Sequence, residues 1–311
     1  MKVTHDYSQF SSTKKTIVTI GTFDGVHIGH QKIISQLLNA SKSKNETSVL
    51  LTFFPHPRMV LQKDSNIKLI NTIDEKINLL EKIGLEELII HPFNREFSRL
   101  TALEFVRDIL VHKLNISKLI IGYDHHFGKN REGNFEQLLE YGGMFDFEVE
   151  EIPAQNINDI SVSSSKIRTA LIDGDIERAN KYLDYNFMLS GKVVAGNNLG
   201  SKINFPTANI HIEQDYKLIP KNGVYIVKSI ILSVAYFGML NIGNRPTIDG
   251  KQQTIEVHFF NFDKNIYEEN IQIELLKFIR DEEKFESIDA LKNQLVEDEI
   301  MIKNIISTEF S

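Results

Sequence analysis

Apolar strand-like runs alternate with helix-like segments through the first half of this chain, and the alternation stops near Asp184. That change of pattern limits the possible folds more than any other feature. Residues 16–20 (TIVTI) and 48–54 (SVLLTFF) are rich in β-branched and aromatic residues and read as short buried strands. Between them Ile33, Ile34, Leu37 and Leu38 recur at helical spacing. Thr72 with Glu75, and Thr101 with Glu104, have the spacing of capping boxes and predict two further helix starts. Residues 87–90 (ELII) and 118–122 (KLIIG) supply the strands that separate these helices. Strands that are apolar throughout and joined through helices predict a Rossmann-like parallel sheet with helices on both faces.

From Phe187 to Phe278 the segments MLSGKVVAG, TANIHI, GVYIVKSIIL, VAYFGML, TIEVHFF and IQIELLKF read as strands joined by turns. Turn signals fall at residues 196–200, 221–223, 244–250 and 263–265. This pattern predicts a small antiparallel β-barrel, closed by an amphipathic helix over residues 288–306. The expected domains are therefore residues 1–183 and 184–311.

At 311 residues each domain is long enough to bury its own core. No apolar run approaches the roughly 20 residues that span a bilayer, and the N-terminus lacks a signal peptide's apolar core, so a cytoplasmic enzyme is expected. The absence of cysteine excludes disulfides, thiolate nucleophiles and cysteine-based zinc sites. A net charge of −7 argues against polyanion binding, and neither nucleic acid nor membrane is an expected partner.

The segment GTFDGVHIGH, residues 21–30, follows the first strand. In a parallel sheet, ligands bind beyond the carboxyl ends of the strands. A turn leading into a helix there gathers backbone N–H groups and the positive helix end, which makes an anion site. His27 and His30 are three apart and can project to one side, where imidazoles donate to phosphate oxygens. Asp24 would not attract phosphate, so its role is structural, metal-related or orienting. Two histidines could also form a zinc pair, with His56 of FFPHP as a third ligand.

GTFDGVHIGH resembles the HxGH signature of the nucleotidyltransferase superfamily, which cleaves ATP between its α- and β-phosphates. FFPHP (53–57), IGYDHHFGKNREG (121–133) and SVSSSKIRTAL (161–171) follow in an order that resembles the prokaryotic bifunctional riboflavin kinase/FMN adenylyltransferase (FAD synthetase) family. The resemblance covers essentially the whole chain. It implies an N-terminal nucleotidyltransferase domain with His27 and His30 on ATP phosphates, in a site shared by Gly21, Phe23, Asp24, Gly25 and Gly29. Ser163, Ser164, Ser165 and Arg168 would form a second phosphate-binding element, and Asp124, Phe127 and Arg131 would line the FMN/ATP cleft. His125 and His126 stand where the family usually has an aromatic residue and an arginine.

The C-terminal half resembles the riboflavin kinase barrel through NFPTANI (204–210) and TIEVHFF (254–260). Thr207 and Asn209 fall on one face of an extended segment and offer hard oxygen ligands for Mg²⁺ bound with ATP. Glu256 is the natural general base for a primary alcohol, and shares a face with His258. Gly196 and Lys202 would cover the phosphates, and Arg280 is a candidate flavin or nucleotide contact, or a surface residue. Ser201 replaces a family arginine and Asn204 a family glycine; because glycine alone takes φ > 0 without strain, Asn204 is expected to restrict this loop. The implied ligands are ATP, riboflavin, FMN and FAD, with Mg²⁺ and no tightly bound cofactor. The alternatives are a single-activity enzyme, either an FMN adenylyltransferase with a degenerate barrel or the converse, and a flavin sensor without turnover.

Overall fold

A computed structural model describes residues 1–62, 66–123, 125–157, 160–196, 200, 203–247 and 250–310. The chain forms two compact units, Met1–Ser164 and Ser165–Ser311.

In the first unit, strands β1 (Lys2–Thr4), β2 (Thr16–Ile20), β3 (Thr47–Phe54), β4 (Glu87–Pro92), β5 (Ile116–Gly122) and β6 (Glu148–Ile152) build one sheet in the order β1-β4-β3-β2-β5-β6. Every pairing is parallel. Successive residues of β2 enter opposite cores. Val18 packs with Val49, Leu51, Phe105 and Leu119, while Ile17 packs with Leu50, Leu88, Ile34 and Leu80. Both faces are thus apolar and covered, which is why the strands read as continuous hydrophobic runs. The chain steps from β2 outward to β4 and then returns to place β5 on the other side of β2, so a topological switch point lies at the carboxyl end of β2.

Helices α1 (Ile28–Lys44), α2 (Pro57–Leu61), α3 (Ile73–Ile83), α4 (Ala102–Glu104) and α5 (Phe135–Phe145) connect the strands. Thr72 and Glu75 form the expected capping box, as do Thr101 and Glu104. The second box opens only three α-helical residues before the chain continues as a π-helix, Phe105–Lys113. A short antiparallel pair, β7 (Asn156–Ile157) and β8 (Ile160–Ser161), ends this unit.

The second unit begins at Ser165, within α6 (Ser164–Asp173), and continues with α7 (Ile176–Leu183). Strands β9 (Met188–Val194), β10 (Ala208–His211), β11 (Gly223–Ile231), β12 (Val234–Thr247), β13 (Gly250–Phe259) and β14 (Asn270–Arg280) follow and close into the barrel β10-β13-β12-β11-β14-β9. The turn expected at residues 244–250 is shorter than the sequence implied, because the β12–β13 ladder runs on from Asn244–Gln253 to Thr247–Gly250. Asn180 fastens α7 to the barrel, accepting from Phe187 N at 2.7 Å and donating to the Leu275 carbonyl at 2.8 Å. Helix α8 (Ile288–Glu309) buries Ile302 against Ile226, Met239 and Leu276.

Candidate functional site

The segment 21–30 leaves β2 at the switch point and is tied down on several sides. Gly21 N donates to Leu51 O at 3.1 Å. Thr22 O accepts from Thr52 Oγ1 at 3.2 Å and from Lys76 Nζ at 2.7 Å. Asp24, 2% exposed, accepts from Ile70 N at 2.9 Å through its carboxylate. Its carbonyl accepts from Ser164 Oγ at 2.8 Å, which joins two of the sequence-predicted phosphate segments. Phe23, Gly25 and Val26 all have positive φ, at 45°, 88° and 39°. For Phe23 and the β-branched Val26 this is a strained conformation of the kind held at functional sites.

His27 is the N-cap residue of α1 and is 6% exposed. Its ring stacks on His30, with centroids 3.7 Å apart and planes 18° apart, and His30 in turn lies 4.6 Å from the Phe23 ring. Gly29 lies close to this stack: a Cβ there would sit 3.2 Å from the His27 ring, a tight approach. Desolvation, with His27 and Lys76 alongside, holds the His30 imidazole well below its ordinary pKa, so it is neutral near pH 7. Among the described residues His30 Nδ1 has no hydrogen-bond partner. A neutral ring nitrogen so placed can donate to, or accept from, a bound phosphate.

His56 caps α2, its Nδ1 accepting from Arg58 N at 3.1 Å. Among the described residues no three acidic or imidazole side chains gather as a zinc ion would require. Phe127 is 7% exposed, packs 5.8 Å from Phe105 in the core and pairs with Gly133 through two backbone hydrogen bonds. Arg131 is exposed and has positive φ, 59°. Half-buried His125 stacks on Phe127, and burial, with His126 and Arg131 nearby, lowers its pKa to about 4. Asp124 lies outside the described residues. Ser163 is half-buried; Ser165 and Arg168 belong to α6 in the second unit, exposed and half-buried respectively.

In the barrel, β13 lies between β10 and β12, and Glu256 pairs with Asn209 on one side and Asn241 on the other. Directly opposed residues project to the same face, so two carboxamides flank one carboxylate. Thr207 Oγ1 lies 3.4 Å from Glu256 Oε2. Gly196 makes room for this cluster, since a Cβ at that position would fall 2.1 Å from Asn209 Nδ2. His258 turns away to Pro206 O, 2.8 Å from its Nδ1, and steadies the segment that carries Thr207. Asn204 has φ 68°, a left-handed conformation that asparagine tolerates better than most side chains. Ser201 and Lys202 lie outside the described residues.

Arg280 has a different setting. Its Nε and Nη2 engage Asp298 of α8 at 3.0 and 2.7 Å, and its Nη1 donates to Asp281 O at 3.0 Å. Two residues were missed by sequence reasoning. The place of Asn241 beside Glu256 depends on strand register, which no local signal in the sequence specifies. Lys76 is 3% exposed beneath the segment 21–30, a burial that its place in the sequence beside Glu75 does not signal.

Comparison with known proteins assigns both units. A family model described as FAD synthetase matches residues 9–166, and one described as riboflavin kinase matches residues 183–306. Two curated relatives bear the name bifunctional riboflavin kinase/FMN adenylyltransferase. That of Buchnera aphidicola subsp. Schizaphis graminum is 40% identical over 96% of both chains. That of Bacillus subtilis is 36% identical over 95% of this chain and 94% of its own. A crystal structure from Streptococcus pneumoniae, named a macrolide-efflux protein, superposes with a TM-score of 0.90 at 31% identity, over 97% of this chain and 98% of that one. Among the described residues no helix is long and apolar enough to cross a membrane. With both domain matches present in one chain and relatives aligned from end to end, the chain belongs to the bifunctional riboflavin kinase/FMN adenylyltransferase family.

Proposed function

We propose a division of labour in which the barrel converts riboflavin to FMN and the N-terminal half, residues 1–183, converts FMN to FAD. The riboflavin-kinase match starting at residue 183 supports that boundary. In the barrel, the riboflavin 5′-hydroxyl attacks the γ-phosphorus of ATP, the bond to the β-phosphate oxygen breaks, and ADP departs. Glu256 takes the hydroxyl proton. The observation that carries this role is the convergence of Thr207, Asn209 and Glu256 on one face. A hydroxyl, a carboxamide and a carboxylate are the hard oxygens that suit Mg²⁺, which Thr207 and Asn209 would hold together with ATP. Bound there, Mg²⁺ neutralises phosphate charge.

In the N-terminal half, an FMN phosphate oxygen attacks the α-phosphorus of a second ATP and pyrophosphate leaves. His27 and His30, with the backbone of residues 21–29, hold the phosphates and offset charge on the leaving group. Ser163, Ser164, Ser165 and Arg168 are assigned to phosphate binding, and Asp124, Phe127 and Arg131 to the FMN/ATP cleft. Lys202 and Gly196 belong to the loop that covers the ATP phosphates in the barrel. A cytoplasmic location is part of the same reading and is consistent with a cysteine-free chain.

The test is chromatography of flavin products after incubation with ATP and Mg²⁺, with riboflavin and FMN as separate substrates. Riboflavin passing through FMN to FAD is the expected result. FAD formed from FMN alone would reassign the barrel as a degenerate kinase.

A further inference from the structure

Lys76 lies almost wholly inside the first unit, 3% exposed, in the first turn of α3. The neighbouring Glu75 is consumed by the capping box, its carboxylate accepting from Thr72 N at 2.9 Å. The Lys76 ammonium donates to Thr22 O at 2.7 Å. Burying a lysine is unfavourable, and structures retain one where its charge meets a specific need. Lys76 is fixed on the first residue beyond Gly21, inside the segment that carries both histidines.

We infer that Lys76 is a positioning residue for adenylyl transfer, holding the Thr22–Phe23 peptide in the orientation that the phosphate loop requires. The assignment rests on the proposed binding of ATP phosphates by residues 21–30. The C=O and N–H of a trans peptide point in opposite directions, so a lysine gripping Thr22 O turns the Phe23 N–H away from α3. Donation to the carbonyl also polarises that peptide and strengthens its N–H as a donor. The same grip holds the loop where Phe23, Gly25 and Val26 adopt positive φ. Asp24 acts in parallel on the Ile70 N–H, so the loop is fixed by a cation on one residue and an anion two residues on.

The experiment uses the full-length chain and its two activities. Lys76→Met, similar in length but uncharged, is expected to lower kcat for FMN-to-FAD conversion by roughly a hundredfold, the scale of a small misplacement of catalytic groups. The KM for ATP should stay within about threefold and riboflavin phosphorylation should be unchanged. Full FAD synthesis by Lys76→Met, alongside its loss in His30→Ala, overturns the role of Lys76 and leaves the loop assignment standing. Full FAD synthesis by both variants overturns the loop assignment itself. A rise in KM for ATP at constant kcat would mark Lys76 as a simple binding group and also overturn the inference.

Should the methionine variant fail to fold, the wild-type pH profile carries the test. The titratable groups facing Lys76 are Asp24 of the loop and His30 of α1, with His27 stacked behind His30. Burial lowers the Lys76 pKa to about 8, with Asp24 opposing. The kcat for FAD formation should therefore fall above about pH 8 while riboflavin phosphorylation does not. Parallel profiles for the two activities would overturn the inference.

Discussion

Asn209 and Glu256 face each other across the β10–β13 ladder, with the Thr207 hydroxyl 3.4 Å from the Glu256 carboxylate. This register brings the proposed general base and the proposed Mg²⁺ ligands to one spot. Glu256→Gln keeps the shape and removes the proton acceptor. It should lower riboflavin phosphorylation by about 10²–10⁴-fold, the usual worth of a general base. FAD formation from supplied FMN should stay within about twofold, read by chromatography of flavin products. Unchanged FMN production would end the assignment of Glu256.

The stacked His27 and His30 give the reciprocal experiment. Replacing both with alanine removes ring donors from the proposed adenylyl-transfer site and leaves the barrel sequence unchanged. Loss of one such donor typically costs about 10²–10³-fold in kcat. The double variant should accumulate FMN from riboflavin and form almost no FAD. Loss of both activities would show that the two units do not function independently.

Much of this organisation was legible in the sequence because it is local. Strand β2 was read at its observed limits from TIVTI, and both capping boxes formed as their spacing implied. The short edge strand β1 was missed: three residues carry too little periodicity, and its place is decided by pairing with β4. Edge strand β6, with the burial pattern of a half-exposed strand, lacked the apolar run that marked its neighbours. Among site residues, the motifs announced themselves, while Asn241 and Lys76 depended on register and burial. Arg280 shows the converse. Its residue type suggested a ligand contact, and its pairing with Asp298 depends on where α8 packs, which the local sequence does not specify.

Asn204 offers a backbone test. At φ 68° most side chains cost about 1–2 kcal/mol, and asparagine less. Asn204→Gly should therefore leave stability and riboflavin phosphorylation near wild type. Asn204→Val should lower the unfolding free energy by about 1 kcal/mol or more and weaken phosphorylation, measured by urea unfolding and initial rates.

His125 predicts the acid limb of stability. Its folded pKa is about 4, against 6.5 for the free side chain, because burial disfavours the cation. Between those values the unfolded chain binds more protons than the folded one, so stability rises with pH there. The contribution is complete above about pH 6.5 and is lost as pH falls toward 4. His30 acts in the same direction. The Tm should fall on acidification through this window, and His125→Gln should flatten the fall. A Tm that rises on acidification would contradict the burial of both rings.

The Arg280–Asp298 pair anchors α8 to the barrel. Asp298 is 1% exposed and also accepts from Gln294 Nε2 at 3.0 Å, while the Arg280 side chain is 17% exposed. Removing one partner of a buried pair strands the other charge, at a cost of about 3–5 kcal/mol. Asp298→Ala should therefore lower the Tm sharply. Arg280→Lys keeps the charge but cannot reproduce the two-pronged contact, so it should destabilise less. Because the guanidinium is committed to Asp298 and the Asp281 carbonyl, Arg280→Lys should leave the KM for riboflavin within about twofold. A large rise in that KM with an unchanged Tm would instead place Arg280 on the flavin.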